Sequence, residues 1–174
     1  MSGAAQPTVW TFDDLTVEVI GSGWVAYTDA SCLLIDPGDG FATAWGERAG
    51  ADAVLVTAPE RAVGLYALLH RLHAEERDTL LRVHCGPNDE ITAALVAAWL
   101  QSVDSHFEIA MEVGFPGGLT EQEGDLSYAP VPTGGAGLSW MLFSAKTRVL
   151  FLDPGADLRA LARYEDADLI LGRP

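Results

Sequence analysis

The chain repeats one short pattern. Leu33-Leu34-Ile35-Asp36-Pro37-Gly38 is followed by Ala51-Asp52-Ala53-Val54-Leu55, and Leu150-Phe151-Leu152-Asp153-Pro154-Gly155 by Ala167-Asp168-Leu169-Ile170-Leu171. Each copy reads as strand, Asp-Pro-Gly turn, excursion, Ala-Asp, strand. Ala51 lies 15 positions after Asp36, and Ala167 lies 14 after Asp153. A pattern returning at nearly constant spacing points to two similar βα units facing each other. The apolar runs are short and bounded by Gly and Pro, as buried strands are.

Between the copies lies ADAVLVTAPERAVGLYALL, residues 51–69. It reads as a buried strand over 53–56, a sharp turn at Ala58-Pro59, and an amphipathic helix reaching about Arg77. Leu65, Leu68, Leu69 and Leu72 form that helix's apolar stripe. Thr57 with Glu60 three residues on has the form of a capping box, and Pro59 suits a first helical turn.

Residues 1–7 read as a disordered lead-in, and 8–174 as a single domain. Residues 15–20 alternate as a half-buried strand. Residues 24–27 and 32–35 are two more strands, the second apolar on both faces and so central. Residues 80–85 form a strand, and Asn88 caps a helix that buries Ile91, Leu95, Ala98 and Trp99. Residues 106–113 alternate, with Phe107, Ile109, Met111 and Val113 inward. Residues 126–131, 138–144, 148–152 and 169–171 are strands, with a short helix carrying Leu158 and Leu161 before the last.

The succession of IGSG, SCLLIDPG, AVLVTAPERAVGLYALL, APVPTGG, RVLFLDPG and ADLILG resembles the metallo-β-lactamase fold superfamily, nearest its ribonuclease Z and phosphodiesterase-like branch. The resemblance implies an α/β fold, a four-layer α/β/β/α sandwich, here C-terminally shortened so that a sheet edge or core face is left open. It also implies a place for one or two metal ions, commonly zinc, at an H-x-H-x-D-H signature after the 53–56 strand. On this chain those positions fall on Ala58, Glu60, Ala62 and Val63. No histidine stands near Thr133-Gly134-Gly135, and the chain stops before the family's last one. Asp153 alone keeps a ligand-type residue. A methyl group cannot ligate zinc and one carboxylate holds it poorly, so the expectation is a degenerate member with no bound cofactor. The candidate vestigial pocket is Thr57, Glu60, Arg61, Gly134 and Asp153.

Composition excludes some partners. Asp and Glu number 25 against 10 Lys and Arg, a formal charge of −15. Such a field repels phosphate backbones and anionic membrane surfaces. Cys32 and Cys85 read as small buried thiols, and the expected setting is a reducing cytoplasm. His70 and His73 flank the leucine stripe and read as boundary residues. Gly134-Gly135-Ala136-Gly137 matches no phosphate loop, and Ser139 has no triad partner in sequence. Trp24, Trp45, Trp99 and Trp140 read as core. Three functions stay open: a non-catalytic interaction or regulatory subunit, binding itself or a protein partner; a hydrolase with an altered metal site using Asp153, Glu60 and a histidine; and a small-molecule module in which Arg61, otherwise a solvated first-turn base, meets an anion.

Overall fold

A computed structural model describes residues 8–46, 48 and 50–172. The lead-in at 1–7 lies outside the described residues. Two sheets carry the fold. The first has seven strands in chain order: β1 (Val9–Thr11), β2 (Thr16–Ile20), β3 (Gly23–Tyr27), β4 (Cys32–Ile35), β5 (Ala53–Leu55), β6 (Leu81–Cys85) and β7 (Ile109–Val113). The pairings from β1 to β4 are antiparallel and those from β4 to β7 parallel. The second has five: β8 (Glu121–Glu123), β9 (Leu126–Val131), β10 (Ser139–Phe143), β11 (Arg148–Phe151) and β12 (Leu169–Leu171). It is antiparallel except where β12 joins β11 in parallel.

Three helices connect the first sheet: α1 (Phe41–Trp45), α2 (Leu65–Ala74) and α3 (Glu90–Ser102). Leu65, Leu68, Leu69 and Leu72 of α2 and Val96 and Trp99 of α3 pack on Val25, Leu34, Val54 and Val83 of the sheet. On the sheet's other side, Trp24, Leu33, Ile35 and Leu55 meet Leu126, Tyr128, Trp140, Leu142 and Phe151 of the second sheet. Each such large side chain taken from water contributes about 1.5–3 kcal/mol. The far face of the second sheet packs Met141, Leu150 and Leu152 under Leu161 and Tyr164. That cover is a 3-10 helix, Leu158–Tyr164, and Leu158 is exposed rather than buried.

The strand reading holds for the core, and β4 is central, with three strands on either side. The differences have local causes. β2 is covered on both faces, because Leu15 and Val17 face the second sheet and Ile20 faces the helices. The 106–113 alternation stops short: Phe107 is buried, but Val113, the last residue of β7, is exposed. The cap of α3 is Asp89, whose carboxylate accepts from the Thr92 amide and hydroxyl; Asn88 is not the cap. Helix α2 ends at Ala74, three residues before Arg77. Ile91 and Ala98 are exposed on α3. Both cysteines are free, Cys85 buried and Cys32 half-buried. Trp24, Trp45, Trp99 and Trp140 are buried in the core.

Candidate active site

Three chain segments meet where strands end. Asp36 follows β4 directly, Thr57 follows β5 by two residues, and Asp153 follows β11 by two. Ligands in α/β folds gather beyond the carboxyl ends of such strands. A cleft of about 580 Å³ opens there. Its wall includes Gly38, Asp39, Glu60, Arg61, Asp153 and Pro154.

Asp36 is the residue the sequence reading missed. In sequence, Asp36 reads only as the start of a turn. The side chain is fully buried, and the backbone stands at φ 51, a left-handed conformation uncommon outside glycine. One carboxylate oxygen accepts from the Thr57 amide at 2.7 Å, the other from the Thr57 hydroxyl at 2.7 Å. Arg61 Nη1 donates to the second oxygen at 3.1 Å and to the Leu152 carbonyl at 3.1 Å. Burial pushes the Asp36 carboxyl up to about 6, against the pull of the Thr57 hydrogen bonds and the Arg61 charge. The signal that could have found it was the repeat itself, which makes Asp36 the counterpart of Asp153.

These contacts correct two expectations. Thr57 is no helix cap: its hydroxyl is given to Asp36, and the turn at Pro59–Arg61 starts from Ala58 with no side-chain cap. A buried carboxylate outbids an exposed helix amide, because leaving it unpartnered costs more. Arg61 is no solvated base either. Its side chain is 11% exposed, ion-paired to Asp36, with the guanidinium carbon 5.9 Å from the Trp24 ring centroid. Glu60 is exposed at the cleft rim.

Asp153 is equally occupied. Its Oδ2 accepts from the Thr133 hydroxyl at 2.9 Å and the Ser139 hydroxyl at 3.1 Å, and its Oδ1 from the Gly155 amide at 2.8 Å. The Asp153 amide in turn donates to the Ser139 oxygen. Gly135 and Gly137 let the loop close over it: a Cβ on Gly135 would stand 2.1 Å from Oδ1, and one on Gly137 2.8 Å from the Asp153 Cβ. Gly134 itself supplies the positive φ of 81 that turns this loop, beside Asp157, and is not part of the cleft wall. So Glu60, Arg61 and Asp153 share the cleft, Thr57 lies beneath it, and Gly134 stands behind.

The residues present do not fit a metal ion. Ala58, Ala62 and Val63 offer no donor atoms, both Asp153 oxygens already accept hydrogen bonds, and Arg61 places a fixed positive charge against Asp36. None of the four histidines lines the cleft. His84 is instead buried with Nε2 2.8 Å from the Tyr128 hydroxyl, and His73 stacks on His106. Among the described residues no three His, Cys, Asp or Glu side chains are grouped as a metal would need. Ser139 has its oxygen tied to Asp153 and Thr133, and no imidazole is at hand to take its proton.

No protein-family model and no curated protein sequence matches the chain. Solved structures do. The metallo-β-lactamase fold protein YhfI from Bacillus subtilis superposes with a TM-score of 0.65 at 14% identity, over 87% of this chain and 62% of that one. Zn(2+)-bound PqqB from Methylobacterium extorquens gives 0.64 at 16%, over 89% and 60%. Human tRNase Z, short form, gives 0.66 at 14%, over 86% and 70%. The chain thus spans about three fifths of the length of the first two. It has the metallo-β-lactamase fold; at these identities the likeness concerns the fold alone.

Proposed function

We propose that this protein of metallo-β-lactamase fold is a non-catalytic interaction or regulatory subunit, in which the hydrolytic centre has been replaced by an internal ion pair. The observation that carries this reading is the Arg61–Asp36 pair at the cleft floor. In that arrangement the guanidinium supplies the positive charge that a metal supplies to a hydrolase, but it cannot bind and activate a water as a Lewis acid does. The locked Asp153 and the missing imidazoles support the same reading. The altered-site hydrolase loses ground on these residues, because Glu60 and Asp153 belong to no group of three His, Cys, Asp or Glu side chains among the described residues.

The test is direct. Protein dialysed against zinc, manganese or iron(II) and analysed for elements is expected to carry well under one metal per chain, with no rise in melting temperature. It is also expected to leave bis(p-nitrophenyl) phosphate intact. Stoichiometric metal, or phosphodiester hydrolysis that follows metal addition, would overturn the proposal.

One observation favours a second reading, the anion-binding module. Arg61 lines the cleft, and among the described residues its hydrogen bonds run from Nη1, which leaves Nε and Nη2 to meet an anion. Asp39, Glu60 and Asp153 on the same wall oppose it. Thermal shifts with phosphate, sulfate and citrate discriminate: a saturable rise lost in Arg61→Met supports the module, and no rise removes it. No helix among the described residues is long and apolar enough to cross a membrane; a cytoplasmic setting remains part of the proposal.

A further inference from the structure

Strand β7 is the last strand of the seven-stranded sheet, and its outer edge is open. The Leu81 amide donates to the Glu108 carbonyl, and the Gly114 amide to the Cys85 carbonyl. In a parallel pair both backbone groups of one residue point to the same side, so the even-numbered residues of this stretch face β6. The N–H and C=O groups of Ile109, Met111 and Val113 therefore face outward, and nothing among the described residues pairs with them. An edge of this kind is a template for another strand.

Beside that edge lies a groove of about 310 Å³. Its floor is Trp140, Pro130 and the buried His84; Val113, Phe115 and Leu119 stand exposed around it. Its charge is one-sided. Glu112 and Glu121 line it, and Glu123 follows on β8. Arg82 is the base that faces them, and it is shared between Glu112 at 3.4 Å and Glu123. His84 adds no positive charge at neutral pH, since burial holds its imidazole down at about 4.

We propose that the β7 edge and its groove form a docking site for an extended, basic, apolar-containing segment of a partner protein, which adds to the sheet as an eighth strand. Backbone pairing to Ile109, Met111 and Val113 supplies affinity. Alternate side chains of the segment supply selectivity, its bases meeting Glu112 and Glu121 and its apolar residues meeting Val113, Phe115 and Leu119. Charge decides the occupant. A second copy of this chain carries −15 and would set Glu108 and Glu112 of both copies in one ladder. The inference rests on the interaction reading and names the partner's chemistry. Its test involves no metal, so the two can fail separately.

The probe is a fluorescein-labelled octapeptide of alternating arginine and valine, followed by anisotropy at low and high salt. Binding is expected to weaken severalfold with salt. It should fall at least tenfold in Val113→Pro, which removes an outward amide and leaves the β6 pairing in place. The double variant Glu112→Gln, Glu121→Gln keeps the backbone edge and is expected to lose a similar factor. Glu90→Gln, which removes a charge elsewhere, should change nothing. A version of the peptide with alternate amides N-methylated should not bind. Equal binding of that version, indifference to both groove variants, or a homodimer in sedimentation that Val113→Pro dissolves would each overturn the proposal.

Discussion

Replacing Arg61 with methionine tests whether the cleft floor is an ion pair in the energetic sense. The substitution keeps an unbranched apolar chain against Trp24 and removes the donor to Asp36 and to the Leu152 carbonyl. Removing one partner of a buried pair costs about 3–5 kcal/mol when the other stays charged. Asp36 keeps two hydrogen bonds from Thr57, so the lower end, about 3 kcal/mol, applies above neutrality. Asp36 also has an escape. Its folded pKa, about 6, lies above the unfolded value, so its burial favours the protonated form. The stability it contributes is full below the unfolded pKa and is lost as pH rises through 6. At pH 5 the carboxyl is mostly neutral and needs no countercharge. There the substitution costs only the charged hydrogen bond to Leu152, about 1.5 kcal/mol. The difference between pH 7.5 and pH 5, about 1.5 kcal/mol, corresponds to the loss of Arg61 raising the Asp36 pKa by about one unit. Urea denaturation followed by tryptophan fluorescence at the two pH values measures it, with Asp36→Asn as the background in which the difference should vanish. A cost equal at both pH values within about 0.5 kcal/mol, or a variant more stable than the parent at pH 7.5, refutes the argument.

Asp36 and His84 should also oppose each other in acid. The depressed His84 pKa gives stability that is present above pH 6.5 and lost as pH falls through about 4, whereas Asp36 gains over nearly the same window. Relative to the parent, His84→Gln should therefore gain up to about 3 kcal/mol between pH 6.5 and 4, and Asp36→Asn up to about 3 kcal/mol between pH 4 and 7; urea titrations across that range measure both. Gly135→Ala drives a methyl group into the Asp153 carboxylate and should cost about 2–3 kcal/mol, while Gly172→Ala, with open space around it, should stay within about 0.5 kcal/mol in the same chemical melts. Ser139→Ala removes two contacts to Asp153, one to its carboxylate and one from its amide, and should lower the unfolding free energy by about 1–3 kcal/mol in thermal denaturation.

Strands apolar on both faces, such as Cys32–Ile35 and Ala53–Leu55, were legible because turn formers bound them: Thr28-Asp29 and Asp36-Pro37-Gly38 around the first, Gly50 and Pro59 around the second. β1 and β8 were not, since Val-Trp-Thr and Glu-Gln-Glu are too short or too polar to show a period. α1 was hidden for a similar reason: five residues after Gly40 cannot display a helical repeat. At the cleft, Asp153, Arg61 and Glu60 could be placed by position after a strand. Which group each would hold could not. The Thr57–Glu60 spacing suits a helix cap and a carboxylate clamp equally well, and only the distant Asp36, 21 residues earlier, decides between them.

Every strand in both sheets lies beside its neighbour in sequence. All seven strands of the first sheet are therefore synthesised before any strand of the second. The first sheet's face bearing Trp24, Leu33, Ile35 and Leu55 then waits for the strands from Glu121 to Leu171 to cover it. At about 5–20 residues per second that wait lasts roughly 3–12 s, a period in which the half-built molecule is sticky and a natural client for chaperones. The same ordering makes the protein divisible: cut near the exposed Leu119, the two fragments carry one whole sheet each and should reassemble on mixing.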